Sequence, residues 1–470
     1  MVFSSIEFLF VFFPAFLLTQ SLLPNRNFTY VVFSLAFYFF GEGWYIFVLV
    51  FSTIMNFACG LWVDEATSPR TRRTAISVGV AANLVLLFIF KYAGFFYTSV
   101  LGGSSEAWIA SIHLPLGISF FTFHAISYLV DVYRRNVRAE RSFVNLALYI
   151  TMFPQLIAGP IIRFHTIAEQ LTRRIVTARH AYFGLALFCF GMGQKVLLAD
   201  TLAGICDPLF ADWRTLTTST AWLAAIAYTF QIFFDFTGYS NMAIGLGWMT
   251  GFYFPQNFNY PYVSKSITEF WRRWHMSLSR WFRDYLYIPL GGNRHGPLRT
   301  YRNLICVFLL CGLWHGAGWT FVIWGAYHGA LLVLERLGFA ALLRRAPVLL
   351  QHVYAMLAII FGWVLFRADN ITQAASMLDK MLIPTSYRLG IDHYLTGEEF
   401  VVLVLAAVFS TPVVSKALMD VMAIPRVPPW QRDLPQWAYG LGATGAAAVF
   451  GASAIKILTG AYSPFIYFRF

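Results

Sequence analysis

Three histidines in this sequence stand in unusually apolar company. His315 and His328 lie in a 32-residue stretch without a charged side chain, NLICVFLLCGLWHGAGWTFVIWGAYHGALLVL (303–334), each set between an aromatic residue and a glycine. Glycine lets another backbone or a thin ligand approach closely, and the aromatic neighbour forms a rigid wall. An imidazole in an apolar pocket stays neutral near pH 7 and can take a proton from an alcohol. The plainer alternative is a histidine that only satisfies packing. Thirteen residues separate the two, about 220° on one continuous helix, so they share a face only if the helix breaks near Gly316–Gly318. No carboxylate or cysteine lies at ligand spacing, so no metal is expected.

The third, His275, belongs to a basic insert between uncharged blocks. Between Val263 and Asn303 lie eight basic residues, Lys265, Arg272, Arg273, Arg280, Arg283, Arg294, Arg299 and Arg302, against Glu269 and Asp284. On a helical wheel, residues 271–285 place Trp271, Trp274, His275, Leu278, Trp281, Phe282 and Tyr285 on one side and Arg272, Arg273, Arg280 and Arg283 on the other. That pattern predicts a helix lying in the headgroup plane of a membrane. A plain anchor would carry an apolar residue where His275 stands. The arginines and Lys265 are suited to a polyanionic substrate.

Two further positions carry candidate chemistry. Asp235 interrupts two uncharged runs in QIFFDFTGYSNMAIGLG, as a structural or a functional carboxylate. FPQLIAGPIIRF (153–164) combines Pro154, Gly159 and Pro160 in an apolar stretch, which predicts a broken or re-entrant segment. Arg163 closes it, as a snorkelling anchor or as a partner for a phosphate or carbonyl.

The elements that must position these residues follow from composition. Of the 470 residues 58% are apolar and only 12% charged, about half the charge of an ordinary soluble domain. Uncharged runs at 43–63, 107–130, 142–162, 215–234, 236–264, 303–334, 346–366 and 434–455 each reach the roughly 20 residues that cross a bilayer. With weaker runs at 8–23, 27–41, 75–90, 181–198 and 400–415, they predict about eleven crossings in an all-α polytopic membrane protein, with one or two runs re-entrant. The first apolar segment lacks a basic flank and is expected to persist as a helix. The net charge of +12 reflects topology, since Lys and Arg collect in cytoplasmic loops. Nucleic acid is not implied. Five cysteines without a CxxC pair suggest neither a disulfide framework nor a zinc site.

At these motifs the sequence resembles the membrane-bound O-acyltransferases, and within them the bacterial branch of alginate O-acetylation proteins. SITEFWRRWHMSLSRWFRDYLYIPLGGNR (266–294) and GLWHGAGWTFVIWGAYHG (312–329) carry the resemblance most strongly. MVFSSIEFLFVFFP, LPLGISFFTFHAISYLVDVYRR, FPQLIAGPIIRF and YTFQIFFDFTGYSNMAIGLG extend it in the same order. It implies a single domain over residues 1–470, with a core at about 110–335 and C-terminal helices over 346–470. The implied fold is a ring of helices around a central tunnel. By resemblance His315, beside Trp314, matches the catalytic histidine, His275 a second characteristic histidine on the cytoplasmic side, and His328 a histidine common in the branch. The terminal FIYFRF resembles a motif in which Tyr467 carries the acyl group as a phenolic ester. Two departures stand out. Asn241 replaces an expected aspartate, and Gln194 precedes Lys195 where a second lysine is frequent.

The resemblance implies an O-acetyltransferase of the bacterial cytoplasmic (inner) membrane, with acetyl-CoA as donor substrate and no bound cofactor. The acetyl group would serve an exported polysaccharide such as alginate, through a periplasmic or extracellular acetyl-accepting transferase. The competing expectations are a transporter or flippase, and a scaffold subunit of a polysaccharide export complex. No internal repeat relates the two halves, as many transporters show.

Overall fold

The computed structural model describes residues 2–103, 112–385, 390–421, 434–460 and 465–466. Tyr467 lies outside the described residues. Among the described residues the secondary structure is helical, with no strand. Among the described residues six helices are long and apolar enough to cross a membrane: Arg26–Glu65, Pro69–Ser99, Ala178–Ala211, Trp319–Arg345, Val348–Arg367 and Gln436–Leu458. Phe8–Leu22 and Ile118–Tyr133 are shorter apolar helices. On Val348–Arg367, Leu349, Leu350 and Leu357 are exposed while Ala355, Ala358 and Trp363 are buried; lipid accommodates the exposed leucines without penalty. The chain is a multi-pass membrane protein.

The chain forms two compact units. One comprises Met1–Phe188 with Met242–Pro255. Phe16, Phe12 and Phe37 pack around Phe153 with ring centroids 5.1, 5.4 and 5.4 Å away. Helices Ile46–Glu65 and Pro69–Leu87 are joined by Asn56 and Asn83, whose side chains exchange hydrogen bonds of 3.1 and 2.8 Å. Each amide satisfies the other where water is absent. The predicted break after Pro154 is present: a four-residue helix, Phe153–Leu156, gives way to irregular buried backbone before helix Phe164–Thr172. Side chains replace the lost helical partners. His124 Nε2 accepts from the Ile162 N–H at 3.3 Å, and Tyr149 donates to the Ile162 carbonyl at 2.9 Å. Irregular backbone at membrane depth requires such partners.

The other unit comprises Cys189–Asn241 with Gln256–Phe470. Here the 303–334 run folds as a hairpin of two helices, Pro297–His315 and Trp319–Leu334, with the break at Gly316–Gly318. Glycines set the closeness of the pair. A Cβ on Gly312 would strike the Phe321 carbonyl oxygen, and one on Gly325 the Phe308 carbonyl oxygen.

The single helix expected over 271–285 is not formed. Helix Ile267–Arg273 ends, Trp274 is extended, His275 adopts a left-handed conformation (φ 42°, ψ 54°), and a second helix, Met276–Phe282, follows. The cause lies upstream in the chain. The Asn257 carbonyl accepts the Met276 N–H at 2.8 Å, and Asn259 N–H donates to the Arg273 carbonyl at 2.9 Å. Both sides of the break therefore find partners in the 257–259 segment instead of within a helix. The faces remain segregated: Trp271, Trp274, Leu278, Trp281 and Phe282 are buried, while Arg272 and Arg283 are exposed.

Candidate active site

The hairpin and the break bring the three histidines into one aromatic assembly. His315, 4% exposed, ends its helix with its ring 4.9 Å from Trp314, 5.2 Å from Trp324 and 5.2 Å from Phe366. The other face of the assembly is His328, 5.0 Å from Trp324 and 5.2 Å from Trp271. His275 stands 6.2 Å from Trp314. The helix break at Gly316–Gly318 is what lets Trp324 lie between His315 and His328, which a continuous helix would have turned apart.

Hydrogen bonds assign the imidazole protons. The Trp271 indole N–H donates to His328 Nδ1 at 3.4 Å, so that nitrogen is an acceptor and the ring proton sits on Nε2. A Cβ on Gly362 would lie 2.8 Å from that Nε2, so glycine leaves the space the ring fills. For His275, Asn257 decides. Its Nδ2 donates to Ser240 Oγ at 3.1 Å, which turns Oδ1 toward His275 Nδ1 at 3.1 Å and toward Ser277 N and Oγ at 3.2 and 2.8 Å. His275 Nδ1 thus carries the proton, and Nε2 is a buried acceptor with no hydrogen-bond partner among the described residues. Burial pulls the pKa of His275 down to about 3, so the ring is neutral across the physiological range. A non-glycine residue at this φ stores about 1–3 kcal/mol of strain, which functional sites commonly hold.

Beside this assembly is a basic cavity of about 890 Å³ lined by Lys265, Arg272, Arg273, Arg336 and Arg344, with Glu269 and Glu335. Both carboxylates are engaged. Glu269 pairs with Arg273 Nη2 at 2.8 Å, and Glu335 accepts the Ile267 and Thr268 N–H groups at 2.7 and 3.0 Å, capping helix Ile267–Arg273. The cavity therefore presents excess positive charge. A second cavity of about 270 Å³ shares Thr268, Arg272 and Arg336 with the first and is otherwise mostly apolar, with Trp271, Val307, Phe308 and Cys311 in its wall. Arg283 also lines it and pairs with Asp284 at 2.7 Å; Arg280 lines neither cavity. Trp271 lines this second cavity and donates its indole N–H to His328.

Of the remaining candidates, Asp235 is 2% exposed and pairs with Lys195 Nζ at 2.9 Å; Lys195 also bonds Asp200. Asn241 and Gln194, the two departures from the family pattern, meet each other: Asn241 Nδ2 donates to Gln194 Oε1 at 2.8 Å. A neutral amide pair stands where the expected aspartate and lysine would form an ion pair. Arg163 belongs to the other compact unit, partly exposed at the head of helix Phe164–Thr172. Sequence reasoning did not single out Asn257, Trp324 or Lys195 as site residues, nor Trp271 as more than part of an aromatic face. The one available signal was the cluster of asparagines and prolines in FPQNFNYPY, unusual within an uncharged run. Arg336 and Arg344 belong to a basic cluster visible in the sequence but distant from 265–273 along the chain.

A model of the membrane-bound O-acyltransferase family matches residues 37–378. The chain is 42% identical to the probable alginate O-acetylase AlgI of Azotobacter vinelandii and 40% identical to that of Pseudomonas aeruginosa, in both cases over 100% of each chain. It is also 37% identical to the peptidoglycan O-acetyltransferase of Helicobacter pylori, over 81% of this chain and 80% of that one. The chain belongs to the membrane-bound O-acyltransferase family, and it is an O-acyltransferase.

Proposed function

We propose that the protein takes an acetyl group from acetyl-CoA at the cytoplasmic face of the bacterial inner membrane and delivers it across the membrane for O-acetylation of an exported polysaccharide such as alginate. The observation that carries this reading is the continuity at Trp271, whose ring lines the cavity next to the basic mouth and whose indole bonds His328. Basic side chains suit the phosphates of CoA, and the apolar second cavity suits the thinner arm that ends in the thioester. The wider arrangement, about eleven crossings in a ring around a central tunnel, belongs to the same proposal.

A thioester is already activated, so the protein must supply orientation and a base. His315 takes the proton of the acceptor hydroxyl as its oxygen attacks the acetyl carbonyl carbon. The C–S bond breaks, the ester forms, and the proton passes to the thiolate to give free CoA. Tyr467 is the proposed first acceptor. Its acetyl ester then passes to a hydroxyl of a separate periplasmic or extracellular transferase, which acetylates the glycan. His275, neutral and with Nε2 open, and His328, fixed by Trp271, order the site around His315. Asp235, Trp314 and Asn241 support it.

The test is acetyl transfer by purified protein with labelled acetyl-CoA. His315→Ala should lose the general-base factor, about 10²–10⁴-fold, while remaining folded in the membrane. Tyr467→Phe separates the relay from the chemistry: label passing onward at full rate in that variant refutes the relay. No label on the protein, no turnover and no CoA release would favour a transporter or a scaffold instead.

A further inference from the structure

Among the described residues the buried charge cluster around Asp235 joins one cation and two carboxylates. Lys195, Asp200 and Asp235 are 3%, 8% and 2% exposed. The lysine reaches both carboxylates, Asp235 Oδ1 at 2.9 Å. A buried ionised group without full compensation is strongly unfavourable, so the second oxygen of Asp235 needs a donor. It has one from far along the chain: the backbone N–H of Ile466 donates to Asp235 Oδ2 at 2.8 Å. The residue before it, Phe465, is 2% exposed and lies against the Tyr239 ring, centroids 4.7 Å apart and planes 28° from parallel. Phe465 also meets Phe236 at 6.4 Å, and Phe236 is the ring that stands 4.6 Å from His275.

A sheet or helix satisfies most backbone N–H groups, but here a terminal segment uses a side-chain carboxylate one turn from the Tyr239 ring. The three contacts come from one helix, Thr218–Thr250, on which Asp235, Phe236 and Tyr239 are spaced to share a face. The helix that precedes the tail, Gln436–Leu458, is itself tied to the cluster's neighbourhood by Lys456, which bonds Thr201 next to Asp200.

We propose that Asp235, paired with the lysine it shares with Asp200, is a docking site for the protein's own C-terminal segment, with the Ile466 amide as the hydrogen-bonded group and Phe465 as the anchor. Asp235 is a positioning residue. Its consequence for chemistry rests on the proposed role of Tyr467, the next residue along: a backbone fixed at Ile466 raises the effective concentration of the following side chain. Removing Asp235 leaves Lys195 and Asp200 as a matched pair, so the substitution does not strand a buried charge.

Hydrogen–deuterium exchange on the full chain in nanodiscs tests the dock, read by mass spectrometry on the peptides covering 459–470. The Ile466 amide should be protected in the wild type. Exchange should quicken at least about tenfold in Asp235→Ala, since a charge-assisted bond is lost, while peptides from 297–315 keep their protection. Phe465→Ala should quicken it too without touching the charge cluster, which guards against a folding defect in the first variant. In acetyl transfer, Asp235→Ala should lower kcat about tenfold or more with KM for acetyl-CoA unchanged, a split that a loosened fold would not give. An Ile466 amide that exchanges freely in the wild type, or at the same rate in all three proteins, overturns the dock. Tyr467→Phe keeps the backbone and should keep the protection; protection together with undiminished transfer by Tyr467→Phe refutes the relay and leaves the dock standing.

Discussion

Substituting Asn257 by aspartate should give the enzyme an acidic limb that the wild type lacks. Asn257 Oδ1 faces His275 Nδ1 at 3.1 Å and also accepts from Ser277. Aspartate keeps the shape and these acceptor contacts, and Ser240 can turn its hydroxyl to donate, so packing is preserved. What changes is charge. At an effective dielectric of about 20, a carboxylate at this distance favours the imidazolium by about 5 kcal/mol. The cost of burying that carboxylate removes a large part, leaving a net rise of about 1–3 pKa units. From about 3 in the wild type, the apparent value for the pair moves to about 4–6. On the proposed function neutral His275 is the form the site uses, so wild-type rates should carry no His275 limb between about pH 4 and 8, whereas Asn257→Asp should lose roughly half its rate near its new midpoint. Initial rates of acetyl transfer in nanodiscs across that range measure it. A variant profile that superimposes on the wild type when scaled would refute the assigned tautomer and the role of the neutral ring.

Other perturbations follow from the same geometry. Arg272→Gln with Arg336→Gln should raise KM for acetyl-CoA roughly 10–100-fold, at about 1 kcal/mol or more for each lost charged contact, with kcat little altered and a weaker salt dependence; an unchanged KM would remove the basic cavity from donor binding. Gln194→Lys and Asn241→Asp should each disturb the paired amides, while the double variant should recover, with a coupling of about 0.5–3 kcal/mol in thermal stability; additive losses would mean the two positions are independent. His275 also makes the fold sensitive to acid. Its folded pKa of about 3 lies below the ordinary 6.5, so the unfolded chain binds the extra proton first. Stability should fall by about 1.4 kcal/mol per pH unit as pH drops from 6.5 toward 3, and His275→Gln should flatten that slope in thermal unfolding.

The membrane character was legible because charge is excluded from hydrocarbon, and long uncharged runs record that exclusion directly. The hairpin break at Gly316–Gly318 was legible only as a condition for His315 and His328 to meet, since a glycine cluster in an apolar run marks where a helix can stop but does not require it. The break at His275 was not. Residues 271–285 have a fully helical pattern, and the partners that override it, Asn257 and Asn259, act from a separate segment through backbone groups that no periodicity reveals. Histidine identity was visible at 275, 315 and 328, but their proton positions depend on Asn257, Ser240 and Trp271. Asp235 was visible as a lone charge in an apolar helix. Its partners, Lys195 some 40 residues earlier and Ile466 near the end of the chain, were not, because a buried ion cluster is assembled by packing and leaves no local spacing rule.

The central claim is acetyl transfer from a thioester with His315 as the base, and CoA release measures it most directly. Purified protein in nanodiscs, supplied with acetyl-CoA, should liberate free CoA in proportion to acetyl ester formed, and His315→Ala should slow that release by about 10²–10⁴-fold with unchanged helical content. Release of CoA by His315→Ala at the wild-type rate would contradict the assignment of the base, and no release by the wild type would contradict acetyl-CoA as the donor.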